Sequence, residues 1–473
     1  IEKTNMSQPN ILLIVTDQQR GDCLGISGHP VLQTPYLDEI ATSGIRFSRG
    51  YSACPVCVPA RRTLMTGQKA TSHGVFMNHH SILDGSTLAD ELSKSGYQTH
   101  LVGKLHLYPC RKLYGFNSAD WADSPTPNLV MDDYERFLIS ERVIQPRAGL
   151  AHGISVNGYV ARPFHLEERF HFTNWCADNA IRFLERRDPT SPFFLKLSFH
   201  QPHQPLTPPT CYYERYINMD LPEPAVADWA RIYNQPQRGL PVNAWRVYLE
   251  PNVQQQMQAG YYGCINHIDN QIGRVLEYVP QNTVIVFVSD HGEMLGEHQW
   301  IRKRNAFEGS THIPFLIHLP KNMGIKQEKV IDKAVELMDV MPTLLDIAEI
   351  EIPSSVDGQS LLPLIYNEDI QWRNHIHGEC AQIPTLNSGM QYLTDGKSKY
   401  IWYPGLGQEQ FFDLEHDPNE MNNLINNPDY TNELDNYRSI LINQLKDRPE
   451  GFVNNGTLVN LGKPTSQTLP SYE

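Results

Sequence analysis

Four short runs of apolar residues constrain the fold of this chain most strongly. Each run is apolar at both odd and even positions, as in strands buried on both faces of a largely parallel sheet; the runs lie at residues 11–15, 192–199, 284–288 and 313–319. Apolar residues at helical spacing lie between the runs, at 88–95, at 175–187 and from about 259 to 279. This alternation of strands and helices predicts an α/β fold.

The remaining segments predict long loops and a second unit. Residues 120–165 and 201–251 are rich in Pro, Asn, Asp and aromatic residues without a clear period, which predicts loops that shape a pocket. Beyond about residue 365 the α/β pattern stops, and residues 390–402, with a turn at 395–396, predict a hairpin that precedes a helix over 430–445. We expect a large α/β/α domain over 1–365 with a mostly parallel sheet, and a smaller α+β domain over 366–473 with an antiparallel sheet.

Composition excludes some classes of partner. The 473 residues carry a net charge of −14, which disfavours general binding to nucleic acid or to anionic membranes. No apolar run approaches the roughly 20 residues of a membrane-spanning helix, and residues 1–10 lack the apolar core of a signal peptide. We therefore expect a cytoplasmic protein without a nucleic-acid or membrane partner, the alternative being a protein whose leader has been removed. The eight cysteines are sparse and irregularly spaced, as in a reduced protein, and no feature specifies an oligomeric state.

Cys57 begins the segment with the clearest chemical signal. Pro59 suits the first turn of a helix and Gly67 suits the residue after its end, so Cys57 is predicted to lie at a helix N-terminus. Backbone N–H groups and the helix dipole favour an anion there, and Arg61, on the same side of the helix, can hold the charge of the group that Cys57 becomes. This pattern suits an oxyanion substrate. The alternative is a buried cysteine that only packs, the role that we assign to Cys54.

The order C-V-P-A-R at residues 57–61, followed by Gly67, resembles the C-x-P-x-R signature of the formylglycine-dependent sulfatases. In that family a separate maturation enzyme oxidises the cysteine to formylglycine, and the hydrate of this aldehyde supplies the nucleophilic oxygen. The resemblance implies that Cys57 is the precursor of the nucleophile and that a formylglycine-generating enzyme is a partner. Six segments that resemble the family occur in the family's order over residues 10–320.

Two of these segments place an acid directly after a predicted buried strand, at Asp17 and at Asp290. Ligands of open α/β sheets gather at the carboxyl ends of the strands. The resemblance implies that Asp17, Gln18, Asp290, His291 and the modified Cys57 hold a divalent metal ion. Many sulfatases have Asp where this chain has Gln18, and the alternative is that Gln18 only caps a turn. Oxygen ligands suit Ca²⁺ best, while the imidazole would also suit Mn²⁺ or Mg²⁺.

The segment V-G-K-L-H-L supplies Lys104 and His106, which are predicted to share one face of a strand-like stretch. A cation at Lys104 can hold a sulfate oxygen, and His106 can assist the formylglycine hydroxyl. The segment F-H-Q-P-H-Q-P resembles the family's P-H-x-P and selects His203, with His200 and Gln201 as alternatives.

The segment R-K-R-N-A-F-E-G resembles the family's K-x-x-x-[FY]-E-G and selects Lys303 rather than Arg302 or Arg304. Lys303 is expected to contact the sulfate or the leaving group, and either it or His203 is expected to protonate the leaving alcohol. His312 stands where the family usually has an arginine. Glu293 and His298, in the string D-H-G-E-x-L-G-x-H, are expected to hold the loop after the second acid by hydrogen bonds.

Asn78, in V-F-M-N-H-H, is expected to contact the substrate. The long loops contribute further candidates, which could set specificity or form subunit contacts: Arg142, Arg147, Arg162 and Trp245. Near the C-terminus, residues 411–424 resemble a segment common in the C-terminal domains of sulfatases, with a structural role expected for its charges.

Taken together, the motifs imply the alkaline-phosphatase-like fold and hydrolysis of a sulfate ester, on a sulfated small molecule or saccharide. One alternative is a phosphodiester or phosphonate monoester hydrolase of the same superfamily, which also uses formylglycine and Asp-Gln and Asp-His ligands. Asn78 does not separate these two activities. Another alternative is an inactive carbohydrate-binding homologue, which the loss of the nucleophile, a metal acid or a lysine would favour; the chain retains all three.

Overall fold

The computed structural model describes residues 8–123, 131–143, 152–325, 329–382 and 389–469. The strands of its large sheet are β1 Asn10–Asp17, β2 Ile45–Tyr51, β3 Gln98–Gly103, β4 Ser118–Trp121, β5 Phe193–Pro202, β6 Thr283–Ser289, β7 Phe315–His318 and β8 Lys329–Glu336. Their order in the sheet is β4-β3-β5-β1-β6-β7-β2-β8. Neighbouring strands pair in parallel except at β7, which runs antiparallel to both β6 and β2.

Helices cover both faces of this sheet. The α-helices of the described residues are α1 Pro35–Thr42, α2 Cys57–Thr66, α3 Ala70–His73, α4 Leu88–Lys94, α5 Asp133–Ser140, α6 Phe172–Arg186, α7 Thr210–Ile217, α8 Pro251–Leu276, α9 Glu308–Thr311, α10 Val340–Ile347, α11 Leu362–Tyr366 and α12 Thr431–Leu445. Apolar side chains of α2, α4 and α10 pack on one face, and those of α1, α6 and α8 pack on the other. The central strands are buried on both sides, which explains their continuous apolar sequences.

A second, antiparallel sheet follows, formed by β9 Ile376–Cys380, β10 Met390–Thr394, β11 Ser398–Tyr403 and β12 Gln408–Asp413 in the order β12-β11-β10-β9. Helix α12 packs on this sheet, and a short pair, β13 Val453–Asn454 and β14 Thr457–Leu458, lies beyond it. The expected fold class, a large α/β/α part with a smaller antiparallel α+β part, is confirmed. The boundary between residues 365 and 366 stays a prediction, and α11 lies across it.

The two predicted long loops are partly wrong. The segment 120–165 contains α5, and the segment 201–251 contains α7, which packs against α8 through the Tyr216–Tyr262 ring pair at 6.0 Å between centroids. Helices of eight residues make only about two turns, too few to establish a helical period. Helix α8 also begins earlier than predicted, because Pro251 occupies its first turn. Among the described residues, no helix combines the length and the apolarity that a membrane crossing requires.

A buried cluster of three charged residues joins the small sheet to the large one. Lys399 on β11 donates from Nζ to Glu308 Oε1 at 2.7 Å and to Glu420 Oε1 at 3.0 Å. Glu420 lies in the segment 411–424, and its Oε2 accepts a hydrogen bond from the backbone N–H of Glu308 at 2.8 Å, at the start of α9. The segment that resembled a sulfatase C-terminal domain therefore anchors α9, which follows Lys303 closely in the chain.

Replacing Lys399 by methionine is expected to lower the free energy of unfolding by about 3 kcal/mol, because the buried Glu420 and the partly buried Glu308 would lose their cation. Urea denaturation followed by circular dichroism measures this loss. The matched control is Lys397→Met, which removes a half-exposed cation paired with Glu415 at 2.8 Å and is expected to change stability little. Similar losses in the two variants would contradict the stabilising role of the cluster.

Candidate active site

Cys57 occupies the first position of α2 and is buried. The preceding residue, Val56, has extended backbone and a side chain that cannot cap the helix. Asn78 caps it instead, because its Oδ1 accepts a hydrogen bond from the backbone N–H of Val58 at 3.0 Å. Gly67 ends the helix with a φ of 66°, a conformation that favours glycine. Cys57 therefore lies at a helix N-terminus as predicted, and the exposed Asn78 lies beside it.

The sheet brings two acids together. Strand β1 ends at Asp17, and Asp290 follows its parallel neighbour β6, so the two carboxylates meet at the same edge of the sheet. Cys57 Sγ lies 3.3 Å from His291 Nε2 and 3.8 Å from Asp17 Oδ1. One ligand atom from each of these four buried residues lies within 4.8 Å of the others.

This cluster fits a divalent cation. Two carboxylates, an imidazole and the side chain of residue 57 converge from separate parts of the chain. Their spacing leaves room for one ion at the metal–ligand distances of about 2.0–2.6 Å that divalent cations adopt. Two buried acids at such a short distance also need positive charge nearby, which a bound cation supplies.

Arg61 fixes the outer oxygens of both carboxylates. Its Nε donates to Asp290 Oδ2 at 2.7 Å, and its Nη2 donates to Asp17 Oδ2 at 3.4 Å. Its Nη1 donates to Ser198 Oγ at 2.9 Å and to the Lys104 carbonyl at 3.0 Å. Because every nitrogen of the buried guanidinium has a protein acceptor, Arg61 orients the two carboxylates so that each Oδ1 faces the cluster.

Gln18 directs its side chain to the same place. Its Nε2 donates to Glu293 Oε2 and to Gln204 Oε1, the latter at 2.8 Å, and its Oε1 accepts a hydrogen bond from Lys303 Nζ at 2.9 Å. The two acceptors fix the amide so that its oxygen faces Lys303 and the cluster. The side chain caps no turn among the described residues, which favours the ligand role of Gln18 over the capping role. Glu293 holds its loop as expected, since its Oε1 accepts hydrogen bonds from the backbone N–H groups of Leu295, at 2.9 Å, and of Arg302. Its contact with Gln18 through Oε2 was not expected.

Cationic groups surround Cys57. Lys303 Nζ lies 3.1 Å from Cys57 Sγ, and Lys104 Nζ contacts Asp17 Oδ2. Burial raises the pKa of the Cys57 thiol, but Lys303, Lys104, His291 and a hydrogen bond from His106 outweigh it and hold this pKa well below the usual value. The position therefore stabilises negative charge. Burial and Cys57 likewise oppose ionisation of Asp17, yet Lys104, His203 and Lys303 hold its pKa well below the usual value.

The predicted strand-like stretch at Lys104 and His106 is wrong. Strand β3 ends at Gly103, which has a φ of 87°, and His106 has a φ of 55°. Asp123 Oδ1 accepts hydrogen bonds from the backbone N–H groups of Leu105 and His106, both at 2.8 Å, and so stabilises a turn. Both predicted side chains still reach the cluster, since Lys104 contacts Asp17 and His106 contacts Cys57.

Of the three candidates near the end of β5, His203 is the one that reaches Cys57, with a hydrogen bond between the side chains. Its Nδ1 lies 2.7 Å from the carbonyl oxygen of Gln204 and must donate to it, because a carbonyl only accepts. His200 donates from Nε2 to the same carbonyl at 2.9 Å. The side chain of Gln201 accepts a hydrogen bond from Thr173 at 3.3 Å instead.

Other predicted residues lie outside this cluster. His298 packs on Trp229 with 4.8 Å between ring centroids, consistent with a role in the loop. His312 Nε2 donates to the Ser48 carbonyl at 3.0 Å. Cys54 is buried with its Sγ 3.7 Å from the Phe76 carbonyl oxygen. Arg142 is exposed, Arg162 donates to the His152 carbonyl at 3.0 Å, and Arg147 lies outside the described residues.

Sequence reasoning missed Ser198 and Gln204. Ser198 accepts from Arg61, and Gln204 donates from Nε2 to Glu293 Oε2 at 3.1 Å while it accepts from Gln18. Ser198 lies within the apolar strand β5, and Gln204 lies just after it. A polar side chain in or beside such an apolar segment is the sequence feature that could have indicated both residues. A buried polar group beside a predicted ligand needs a partner, which makes such residues candidates.

Comparisons with known proteins agree with this geometry. The family profile described as "Sulfatase" matches residues 9–350, and the profile described as "N-sulphoglucosamine sulphohydrolase, C-terminal" matches residues 296–447. An arylsulfatase of Clostridium perfringens (strain 13 / Type A) is 41% identical over 484 residues, which cover 97% of this chain and 98% of that protein.

Two solved structures resemble the chain along most of its length. The phosphonate monoester hydrolase of Agrobacterium radiobacter superposes with a TM-score of 0.78 at 25% identity, covering 92% of this chain and 95% of that one. A protein in complex with its substrate D-glucosamine-2-N,6-O-disulfate superposes with a TM-score of 0.74 at 25% identity, covering 93% and 98%. On the match to the sulfatase profile and to the arylsulfatase, the chain belongs to the sulfatase family of sulfuric ester hydrolases.

Proposed function

We propose that this sulfuric ester hydrolase removes sulfate from a sulfated saccharide. The observation that carries the proposal is the convergence on Cys57, where Lys303 Nζ lies 3.1 Å and His291 Nε2 lies 3.3 Å from Sγ beside two carboxylates. A divalent metal and formylglycine are characteristic of the sulfatase family. The structure solved with a disulfated glucosamine supports a sugar as the part that carries the ester.

Ca²⁺ is the metal that we propose for this site, held by Asp17, Gln18, Asp290, His291 and the modified residue 57. Carboxylate, amide and hydroxyl oxygens form the greater part of this donor set, which suits a hard cation. The single imidazole leaves Mn²⁺ and Mg²⁺ as competitors. When bound, the ion supplies Lewis-acid polarisation of oxygen atoms. Arg61 keeps the carboxylates in place for it.

The side chains around residue 57 supply the nucleophile, the positive charge and a contact to the substrate. The hydrate of formylglycine, once formed there, would supply the nucleophilic hydroxyl, which takes the sulfate from the leaving alcohol as a covalent ester. Lys303 and Lys104 place positive charge where the sulfate oxygens would lie, which stabilises charge that develops during the reaction. The exposed Asn78 is proposed to contact the substrate at the entrance.

Lys303, His203 and His106 are the candidates for the proton transfers of the reaction. Since His203 already donates from Nδ1 to a carbonyl, its neutral form presents Nε2 as an acceptor. Lys303 is therefore the better donor to the leaving alcohol. His106 contacts Cys57 and is proposed to take the proton from the second hydroxyl of the hydrate, so that the C=O bond re-forms as the bond to the sulfate group breaks and sulfate leaves.

The maturation partner and the location are proposals as well. A formylglycine-generating enzyme must reach residue 57 before the enzyme folds around it, because Cys57 is buried. We propose a cytoplasmic location, which is supported by eight unpaired cysteines, one of them exposed. Cell fractionation with an antibody against the protein tests the location, and recovery outside the cytoplasm would overturn it.

The competing activity is phosphonate monoester hydrolysis, which the superposition on the Agrobacterium radiobacter enzyme favours. Protein with a verified formylglycine at position 57 would be assayed with 4-nitrophenyl sulfate and with a 4-nitrophenyl phosphonate monoester under identical conditions. We expect kcat/KM to be at least about tenfold higher for the sulfate, since preference between substrates is a ratio of these constants. A preference for the phosphonate would overturn the sulfatase activity. No turnover of either compound by converted protein would favour the inactive carbohydrate-binding homologue.

A further inference from the structure

Two arginines flank Lys303 in the chain and share one tryptophan. The guanidinium of Arg302 lies 3.5 Å from the centroid of the Trp245 ring, and that of Arg304 lies 4.9 Å from it. The backbone N–H of Ile301 donates to the Trp245 carbonyl at 3.1 Å and ties the two segments together. Arg302, Lys303 and Arg304 are therefore three consecutive cationic residues. Of these three, Lys303 contacts Cys57 Sγ in the part of the chain that the structure describes.

Arg302 is held by the protein. Its Nη2 donates to the Asn243 carbonyl, and its backbone N–H donates to Glu293 Oε1. Its flat side chain lies against Trp245 and supports that ring. Burial and the neighbouring Arg304 lower the pKa of Arg302 to about 10, against the opposing effect of Glu293. Arg302 is therefore a buried support rather than a free cation.

Arg304 has no such partner. Among the residues that the structure describes, no oxygen accepts a hydrogen bond from its guanidinium and no carboxylate forms an ion pair with it. The buried Nε lacks an acceptor in both Arg302 and Arg304, so the difference between them is the bond that Arg302 Nη2 donates to Asn243. Its side chain is only partly exposed. A half-buried cation beside a second cation is stabilised when an anion joins it. Burial accordingly lowers the pKa of Arg304, while three cysteines including Cys57 act against this.

The backbone conformation around Lys303 also indicates a functional site. Arg302 and Arg304 adopt φ angles of 66° and 77°, in the left-handed region that residues other than glycine seldom occupy. Such conformations turn the chain sharply on either side of Lys303 and are found where a site requires particular side-chain directions. One result is that Lys303 reaches Cys57 while Arg304 stays against Trp245 without an acceptor.

We propose that Arg304, supported by Trp245 and Arg302, binds a second anionic group of the substrate, a sulfate or a carboxylate separate from the ester that is cleaved. A guanidinium presents a planar fork that matches either oxyanion with two hydrogen bonds. Because Arg304 adjoins Lys303, the second anion would lie on the same sugar unit as the ester or on the next one. The inference rests on the proposed saccharide sulfatase function and narrows the substrate class to polyanionic saccharides.

Paired probes that differ in one anion test this inference with the full-length converted enzyme. One pair is 4-nitrophenyl sulfate with its 2-carboxy derivative, and the other is N-acetylglucosamine 6-O-sulfate with glucosamine 2-N,6-O-disulfate. The ratio of wild-type to variant kcat/KM is formed for each probe separately, so that differences between leaving groups cancel. The variants are Arg304→Gln, Arg304→Lys and the matched control Arg246→Gln, an arginine stacked on Trp300 at 4.4 Å that donates to the Ala230 carbonyl at 2.7 Å.

Arg304→Gln is expected to lower kcat/KM for the doubly anionic member of a pair about tenfold to hundredfold more than for its partner, mainly through KM. Arg304→Lys should give a loss of kcat/KM between those of the wild type and Arg304→Gln, because lysine keeps the charge but cannot form two parallel hydrogen bonds. Arg246→Gln should change kcat/KM equally for both members of a pair. A selective loss with the carboxylate or with the disulfate identifies the anion. Equal losses for both members of both pairs would overturn the inference.

Binding separates this inference from the proposed function. Calorimetry with Cys57→Ala protein measures the affinity for glucosamine 2-N,6-O-disulfate and for the carboxylated aryl sulfate without any turnover. Weaker binding of either doubly anionic probe after the added Arg304→Gln change, with the singly anionic probes less affected, is expected even if the converted enzyme hydrolyses neither pair. Anion-selective loss of binding without hydrolysis of either pair would contradict the proposed saccharide sulfatase function but support the anion site. Unchanged affinity for all the probes would overturn the anion site.

Discussion

Replacing Cys57 by alanine is expected to lower kcat by at least about 10⁴-fold, because covalent catalysis collapses when its nucleophile is removed. The fold should persist, since the loss of one sulfur atom leaves the partners of Arg61 and Asp290 in place. Steady-state turnover of an aryl sulfate, with circular dichroism to verify folding, measures the effect. Protein made together with a formylglycine-generating enzyme is required for both the variant and the reference.

The matched control is Cys54→Ala. Cys54 is also buried and precedes α2 by three residues, but its Sγ lies against the Phe76 carbonyl rather than against the acids. We expect this variant to keep most of its activity and to lose a little stability, as for the removal of a small buried group. Near-wild-type activity in Cys57→Ala, or equal losses in the two variants, would contradict the assignment of the nucleophile.

Replacing Asp290 by alanine is expected to remove the bound metal and with it nearly all activity. Asp290 Oδ1 faces the cluster and its Oδ2 accepts from Arg61, so the change deletes a ligand and leaves the guanidinium with fewer partners. Asp290→Asn is the gentler companion, because it keeps the shape of the side chain and removes only the charge. We expect added Ca²⁺ to raise the melting temperature of the wild-type enzyme, and both variants should lose this rise.

Elemental analysis after dialysis measures the metal directly. Asp22→Asn is the control, since Asp22 is an acid that pairs with Arg20 at 2.7 Å, outside the cluster, with a side chain 54% exposed. This variant should retain the metal content of the wild type. Wild-type metal content in both Asp290 variants would place the ion elsewhere and would contradict the proposed ligand set.

Much of the fold could be predicted from local sequence. Strands such as β1 and β6 are continuous apolar runs, and burial on both faces leaves little choice of residue. Helix α7 could not be predicted from the sequence, because its apolar contacts come from aromatic residues over only two turns. Whether these residues face a core depends on the neighbouring helix α8. Tertiary contacts, which no short window of sequence contains, decide such elements.

The site divides in the same way. The acids at Asp17 and Asp290 could be located because strand ends of a parallel sheet share one edge. The hydrogen bonds by which Arg61 orients the two carboxylates could not be predicted from the sequence. The acceptors of Arg61 lie on four separate segments that only folding brings together. Lys104 and His106 reach the cluster through a turn stabilised by Asp123, and this turn is absent from any pattern of alternating residues.

The mass of the peptide that contains Cys57 is the most direct test of the nucleophile. The enzyme would be isolated in active form, digested and analysed by mass spectrometry, with turnover of a sulfate ester measured on the same sample. We predict that the active fraction carries the mass of an aldehyde in place of the thiol, and that activity rises in proportion to that fraction. Full turnover by protein whose peptide carries only unmodified cysteine would contradict the formylglycine mechanism.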